Sequence, residues 1–284
     1  MTRQAHGAEA RSGRWELVLA TGNQHKVAEI KALLAAAGLA VTVDSLVSFA
    51  SLPPVDEDGA TFSENAAKKA LYTGVLLGKP ALADDSGLEV DALEGLPGVY
   101  SARYAGEAAS DAENNQKLLA ALQGVHGAER RARFRSVVAL FLPEKGERGR
   151  GLWGPQALEE LARFWKATLA QGGLRDLDRK LARDGAARSW MTPWGTVWLV
   201  AGACYGYITT EPRGEQGFGY DPLFYFPPLA RTFGQVPLAL KNQFSHRARA
   251  LARAVKLLRQ VTATAVSGPL GPAGLEGTSR ARKN

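Results

Sequence analysis

Cysteine is nearly absent: Cys204 stands alone in 284 residues. That excludes an intramolecular disulfide framework and thiolate zinc clusters, and it fits a reducing compartment, so a cytoplasmic location is expected. Long apolar runs are missing too. The richest stretch, residues 33–43, is interrupted by Gly38 and Thr42 and falls well short of the roughly 18–20 residues that cross a bilayer. No membrane association is expected. Residues 1–14 lack the apolar core of a secretory signal and read as a disordered N-terminus. Histidine is scarce, and His6, His25, His126 and His246 show no zinc-ligand spacing. Neither H-E-x-x-H nor G-x-S-x-G occurs. A P-loop imitation at Gly74 to Pro80 is one residue short and carries proline where Ser or Thr should meet Mg²⁺. No run of Lys or Arg exceeds two residues, as in Arg130-Arg131, so the net charge of +7 lacks the footprint of a nucleic-acid surface. Nucleic acid is therefore not the expected ligand.

What is present is an ordinary globular composition, 45% hydrophobic and 22% charged, able to bury a large core. Strand and helix patterns alternate, which points to an α/β domain around a mixed sheet. Residues 17–20 read as a strand, followed by a loop and a helix that repeats Val27, Ile30, Leu34 and Ala37 on one face before Gly38. A capping box, Thr61 to Glu64, opens a helix that stops near Gly78. Residues 81–83 read as a strand ending in a turn, Asp84-Asp85-Ser86-Gly87, with an alternating segment over 88–93 beyond it. A second box, Ser110 to Glu113, starts another helix. Strands follow from Phe134 to Pro143 and over 197–210, and one long helix over 240–261.

Residues of about 147–194 interrupt this alternation. Leu158, Leu161, Trp165 and Leu169, a Gly172-Gly173 break, then Leu174, Leu177 and Leu181 before Gly185 give an inserted helical hairpin. Trp153, Trp165, Trp190, Trp194 and Trp198 lie in or beside it. They suit a hairpin fastened to the main domain or to a second subunit, or a lid over a cleft. The organisation read is a domain over 15–262 with this insertion, then a disordered tail at 263–284, rich in Gly, Pro and Ser.

Four constellations carry possible chemistry, and each has a plain alternative. Thr21-Gly22-Asn23-Gln24-His25-Lys26 joins a strand to a helix, where free N–H groups, the dipole and Lys26 favour a phosphate; such a turn also serves as an ordinary cap. Asp84-Asp85 puts carboxylates on opposite faces of a strand. One of them, with Asp56 or Glu57, meets the preference of Mg²⁺ for one or two carboxylates plus water and phosphate. An acidic turn is the alternative. Phe218-Gly219-Tyr220-Asp221, within a glycine-rich loop, can stack a base or pack inward. Lys241 with Ser245-His246-Arg247, near the start of the last helix, can hold phosphate or a base oxygen, or simply form a basic helix surface.

Taken together and in this order, the stretches LVLATGNQHKVAEI, DGATFSENAAKKA, ALADDSGLEVDALEGLPGVYSARYAGE, EPRGEQGFGYDPLF and KNQFSHRARAL resemble the inosine-triphosphate pyrophosphatase family. The resemblance implies an elongated α/β fold with two lobes around a central cleft, commonly a homodimer. It implies Mg²⁺-dependent hydrolysis of ITP, dITP and XTP to monophosphate and pyrophosphate. Thr21, Gly22, Asn23, Gln24, His25 and Lys26 match its triphosphate loop, and Lys26 is placed with the catalytic residues. Asp85 matches its general base; Asp85 with Glu57 or Asp56 matches the metal position. Ser86 resembles a substrate contact. Phe218, Gly219, Tyr220 and Asp221 resemble its base-binding loop, and Lys241, His246 and Arg247 its phosphate and purine 6-oxo contacts. Thr232-Phe233-Gly234-Gln235 departs from the family's usual Ala-Glu, and the insertion departs more. A pyrophosphatase for modified pyrimidine nucleotides, or a nucleotide- or nucleic-acid-binding protein without catalysis, are the competing readings.

Overall fold

The computed structural model describes residues 15–39, 41–49, 52–144 and 155–267; the expectations for 1–14, for Trp153 and for the tail beyond 267 lie outside them. An eight-stranded mixed sheet runs in the order β2-β1-β3-β4-β6-β7-β8, with β5 pairing β6 beside that path. These strands are β1 (Trp15–Leu19), β2 (Val41–Ser45), β3 (Ala81–Val90), β4 (Arg131–Pro143), β5 (Arg188–Thr192), β6 (Gly195–Ile208), β7 (Phe224–Phe226) and β8 (Arg231–Thr232). β1 is parallel to β2 and β3, and the other pairings are antiparallel.

Alternation along the central strands sorts the core by face. Ala83, Val137, Ala139, Phe141, Val197 and Leu199 pack against α2 (Phe62–Leu77). Leu82, Val138, Leu140 and Val200 pack instead on α1 (Gln24–Ala36) and α7 (His246–Ser267). Further along the same strands, Leu88, Val90, Phe134, Cys204 and Ile208 join a third cluster with α3 (Asp111–Ala121) and β7. The long strands therefore pass from one pair of cores into another. Asp84, Asp85 and Ser86 lie where they cross.

Several expectations change here. Asp84-Asp85-Ser86-Gly87 is no turn and no strand end: β3 continues through it, paired with β4 from Ala81↔Phe141 to Val90↔Ala132. Neighbouring lysine, serine and arginine side chains satisfy its polar groups, so the ladder is not broken. The expected single last helix is two, α6 (Leu238–Phe244) and α7. Ser245 between them is extended, and its hydroxyl accepts from Ala248 N at 3.1 Å as a cap. That break sets His246 and Arg247 in a first helical turn. α7 lies so close on β6 that a Cβ at Gly202 would stand 2.3 Å from the His246 carbonyl.

Helices α4 (Pro155–Ala170) and α5 (Arg175–Asp184) form the expected hairpin. Leu161, Trp165, Leu174 and Leu181 are buried in the α2 core. Asp178 accepts from Ser63 at 2.6 Å and pairs with Arg135 at 2.9 Å. Phe164 stacks on Trp190 and meets Trp194 edge-on. The tryptophans fasten the hairpin to its own domain.

Candidate active site

The N-terminus of α1 is built as its sequence directs. Asn23 caps it, accepting from Lys26 N at 3.1 Å, and Thr21 Oγ1 accepts from Asn23 N at 3.2 Å. Gly22, Gln24 and His25 are exposed, and a Cβ at Gly22 would meet nothing within 4 Å. With no acidic residue in the first turn, the free N–H groups and dipole stay available to an anion. Lys26 reaches inward to Asp84 Oδ2 at 3.1 Å.

Asp84 is buried in a cage of donors. Ser136 donates to Oδ1 at 2.5 Å, Ser86 to Oδ2 at 3.0 Å, and Arg247 lies 3.3 Å from Oδ2. Burial alone would raise its pKa, but Arg247, Lys26 and the Ser136 hydrogen bond hold the carboxyl far below the usual range. Arg247, itself buried, also donates to Ser86 Oγ at 2.9 Å and forms an ion pair with Glu29.

Asp85 faces the other side of the sheet, toward α2. Its carboxylate accepts from Asn65 at 3.2 Å and lies 3.1 Å from Lys69 Nζ, which also holds Glu57 at 3.0 Å. Burial pushes the Asp85 carboxyl upward and the neighbouring Glu57 charge adds to this, against Lys69 and Lys26. Glu57, partly open, moves downward: burial raises it, but Lys69, Lys26 and Asp85 together outweigh that effect. For Lys69, burial works against the charge, but the two carboxylates keep it protonated.

A cavity of about 150 Å³ opens on the Asp84 side, between α1 and the loop that follows β6. Asn23, Lys26 and Ser86 line one part of it. Phe218, Gly219, Tyr220 and Asp221 line another, with Lys241, His246 and Arg247 behind them. Phe218 stacks on His25 at 5.4 Å. Beneath its ring, at 4.8 Å from the centroid, is Lys241 Nζ, bound to Asp221 at 2.6 Å. Asp221 Oδ2 also accepts from Phe218 N at 3.0 Å, which fixes the loop. Tyr220 donates to the Ser101 carbonyl at 2.9 Å. His246 is stacked against Phe134 at 4.9 Å, and its Nδ1 has no hydrogen-bond partner in the protein. Burial and the charges of Arg247 and Lys241 hold its pKa well below the ordinary value. It is a neutral imidazole facing the cavity.

The proposed residues thus fall into two groups. Asn23, Lys26, Ser86, Phe218, Gly219, Tyr220, Asp221, Lys241, His246 and Arg247 share the cavity wall. Thr21, Gly22, Gln24 and His25 lie at its rim on the α1 turn, while Asp85 and Glu57 sit across β3. Glu57, rather than the exposed Asp56, shares Lys69 with Asp85. No group of three or more His, Cys, Asp or Glu arranged for a metal occurs among the described residues. Two carboxylates suffice for Mg²⁺ when phosphates and water complete its shell, so the Asp85 and Glu57 oxygens fit that ion.

Lys69, Asn65, Phe134 and Glu29 escaped the sequence reading. A signal existed for the first two: Asn65 and Lys69, one helical turn apart, interrupt an apolar helix that is buried from Phe62 to Leu76. Glu29 and Phe134 gave none, because their partners are distant in sequence.

The sequence pattern of the Ham1 family matches residues 17–153 and 167–257. The chain belongs to the Ham1 family. It is 40% identical over 246 residues to the dITP/XTP pyrophosphatase of Desulforamulus reducens, covering 87% of this chain and 96% of that protein. The dITP/XTP pyrophosphatase of Geobacter sulfurreducens is 43% identical over 236 residues, or 83% and 92% of the two chains. Among solved structures, a HAM1 protein from Coxiella burnetii superposes with a TM-score of 0.62 at 34% identity, over 87% of this chain and 99% of its own. The Staphylococcus aureus Ham1 protein gives 0.61 at 32% identity, with the same coverage. The Ham1 pattern leaves residues 154–166 unmatched, inside the inserted hairpin.

Proposed function

We propose that this chain is a nucleoside-triphosphate pyrophosphatase that hydrolyses ITP, dITP and XTP to the monophosphate and pyrophosphate, clearing non-standard purines from the nucleotide pool. One observation carries the reading: a single cavity joins the N-terminal end of α1, with Asn23 and Lys26, to a pocket of Phe218, neutral His246 and buried Arg247 and Lys241. The first suits a polyphosphate and the second a flat base with an acceptor on its edge. The matching relatives bear names that describe this activity.

The residues divide the work. The α1 turn and Lys26 hold phosphates, and Phe218 offers its face to the base. His246 has one N–H to donate to a 6-oxo group, and the donor-only guanidinium of Arg247 beside it disfavours the 6-amino group of adenine. Asp85, outside the cavity wall but within reach of the charge of the cavity-lining Lys26, is assigned the base that orients a water and accepts its proton. The water oxygen bonds to the α phosphorus, the bond to the α–β bridging oxygen breaks, and pyrophosphate leaves with the electron pair. Asp85 and Glu57 would hold Mg²⁺, which would supply charge neutralisation on the phosphates. A homodimer and a cytoplasmic location complete the proposal. No helix among the described residues is long and apolar enough to cross a membrane.

Pyrophosphate release from ITP, dITP, XTP, GTP, ATP and dUTP, with Mg²⁺ and after its removal by EDTA, tests the reading. Selectivity for the first three, dependent on the metal, is expected. Preference for dUTP would move the assignment to pyrimidine nucleotides, and binding without turnover would leave a nucleotide-binding protein. Sedimentation velocity decides the dimer.

A further inference from the structure

The segment carrying Glu57 is fastened to α2 residue by residue. Glu57 meets Lys69 at 3.0 Å, Asp58 meets Lys68 at 2.7 Å, Gly59 N donates to Asn65 Oδ1 at 2.8 Å, and Ala60 N donates to Glu64 Oε2 at 2.8 Å. Four consecutive residues therefore run antiparallel to the opening turns of the helix, each with its own anchor. Two of these anchors take a second bond from the inserted hairpin. Trp165 Nε1 donates to Asp58 Oδ1 at 3.3 Å, and Leu174 N donates to Glu64 Oε1 at 3.2 Å. The Trp165 ring also lies 5.9 Å from Lys68 Nζ and is itself 2% exposed, so it packs on the buried Lys68 end of the pair, while the Asp58 side chain stays half exposed. None of α4 or α5 lines the nucleotide cavity, so the hairpin is not a lid over the base. Trp165 falls within 154–166, the stretch outside the Ham1 pattern.

We propose that the inserted hairpin is a brace for the metal-binding carboxylates, with Trp165 as a positioning residue that holds Glu57 beside Asp85 through Asp58. This rests on the reading that Asp85 and Glu57 take the divalent cation. Fixing the Glu57 segment in advance spares the cation the cost of ordering it.

Mn²⁺ binding to the full chain without nucleotide, followed by electron paramagnetic resonance, tests this alongside the Mg²⁺ dependence of turnover. Trp165→Phe keeps most of the ring volume and removes the donor. Its Mn²⁺ affinity and its half-saturating Mg²⁺ should worsen about threefold to tenfold, as loss of one charge-assisted hydrogen bond implies. Turnover at saturating Mg²⁺ should change little, while the thermal midpoint should fall because Trp165 packs in the core beneath α2. Asp58→Asn should give a similar shift, and the double variant should add little to either. Glu57→Gln is the control: if it leaves Mn²⁺ binding unchanged, the metal reading itself fails. If Glu57→Gln weakens Mn²⁺ while Trp165→Phe and Asp58→Asn do not, the brace is overturned. Absence of saturable Mn²⁺ binding in the unaltered protein would overturn it too, because a preformed pair is what the brace provides.

Discussion

Asp84 and Asp85 are adjacent in the chain and opposite in electrostatics. The first is locked as an anion among Arg247, Lys26 and Ser136, and the second is pushed toward its protonated form beside Glu57. Asp85→Asn should therefore lower kcat for ITP by roughly 10²–10⁴-fold, the usual range for loss of a general base, with little change in thermal midpoint. Because the base must be unprotonated and its pKa is raised, kcat should rise with pH through a value above that of an unperturbed aspartate and then level off. His246 gives a stability prediction. Its folded pKa is lowered below the unfolded value near ~6.5, so protons bind the unfolded chain first. Stability should fall as pH drops below that value and be complete above it. Urea midpoints between pH 5 and 7 should show this slope, and His246→Gln should flatten it. Burial pushes the Cys204 thiol up to about 12; maleimide should label it only after unfolding.

Elements set the site by where they stop. Ser245 ends α6, begins α7 and so aims Arg247 at Asp84 and Ser86 on β3 and His246 at Phe134 on β4. Ser245→Ala removes that cap and should cost about 0.5–2 kcal/mol by urea unfolding, with KM for ITP raised as the first turn frays. In the hairpin, Leu161 is fully buried, and Leu161→Ala should cost about 2–5 kcal/mol. A hairpin attached only at its surface would tolerate that change.

The whole molecule is a sheet whose longest strands serve several cores at once. Because Trp165 and Trp194 are built into the core beneath α2, the hairpin should unfold with the domain. Tryptophan fluorescence and far-UV circular dichroism should then give one coincident urea transition. An earlier fluorescence transition would show an independent hairpin.

Much of the site was legible because its residues come in contiguous stretches with local jobs. Asn23 and Lys26 follow from a strand ending before a helix, and Phe218 to Asp221 from a glycine-rich loop. The hairpin followed from its apolar spacing and the Gly172-Gly173 break. Two local readings went astray for physical reasons. Asp84-Asp85-Ser86-Gly87 has turn composition, but pairing with β4 and side-chain donors from α1, α2 and α7 make it strand. The last helix keeps its apolar period across Ser245, so periodicity alone did not mark the break. By itself, the sequence determined the order of β1, β3, β4, β6 and the main helices, the buried face of α1 and the residue types brought to the chemistry, since these depend on neighbours within a turn or a strand; the short strands β2, β5, β7 and β8 were not read from it. Only the tertiary structure decided that Glu57 rather than Asp56 joins Asp85, that Glu29 holds Arg247, and that Trp165 supports Asp58. Those pairings join residues far apart in the chain, and burial fixes their charges.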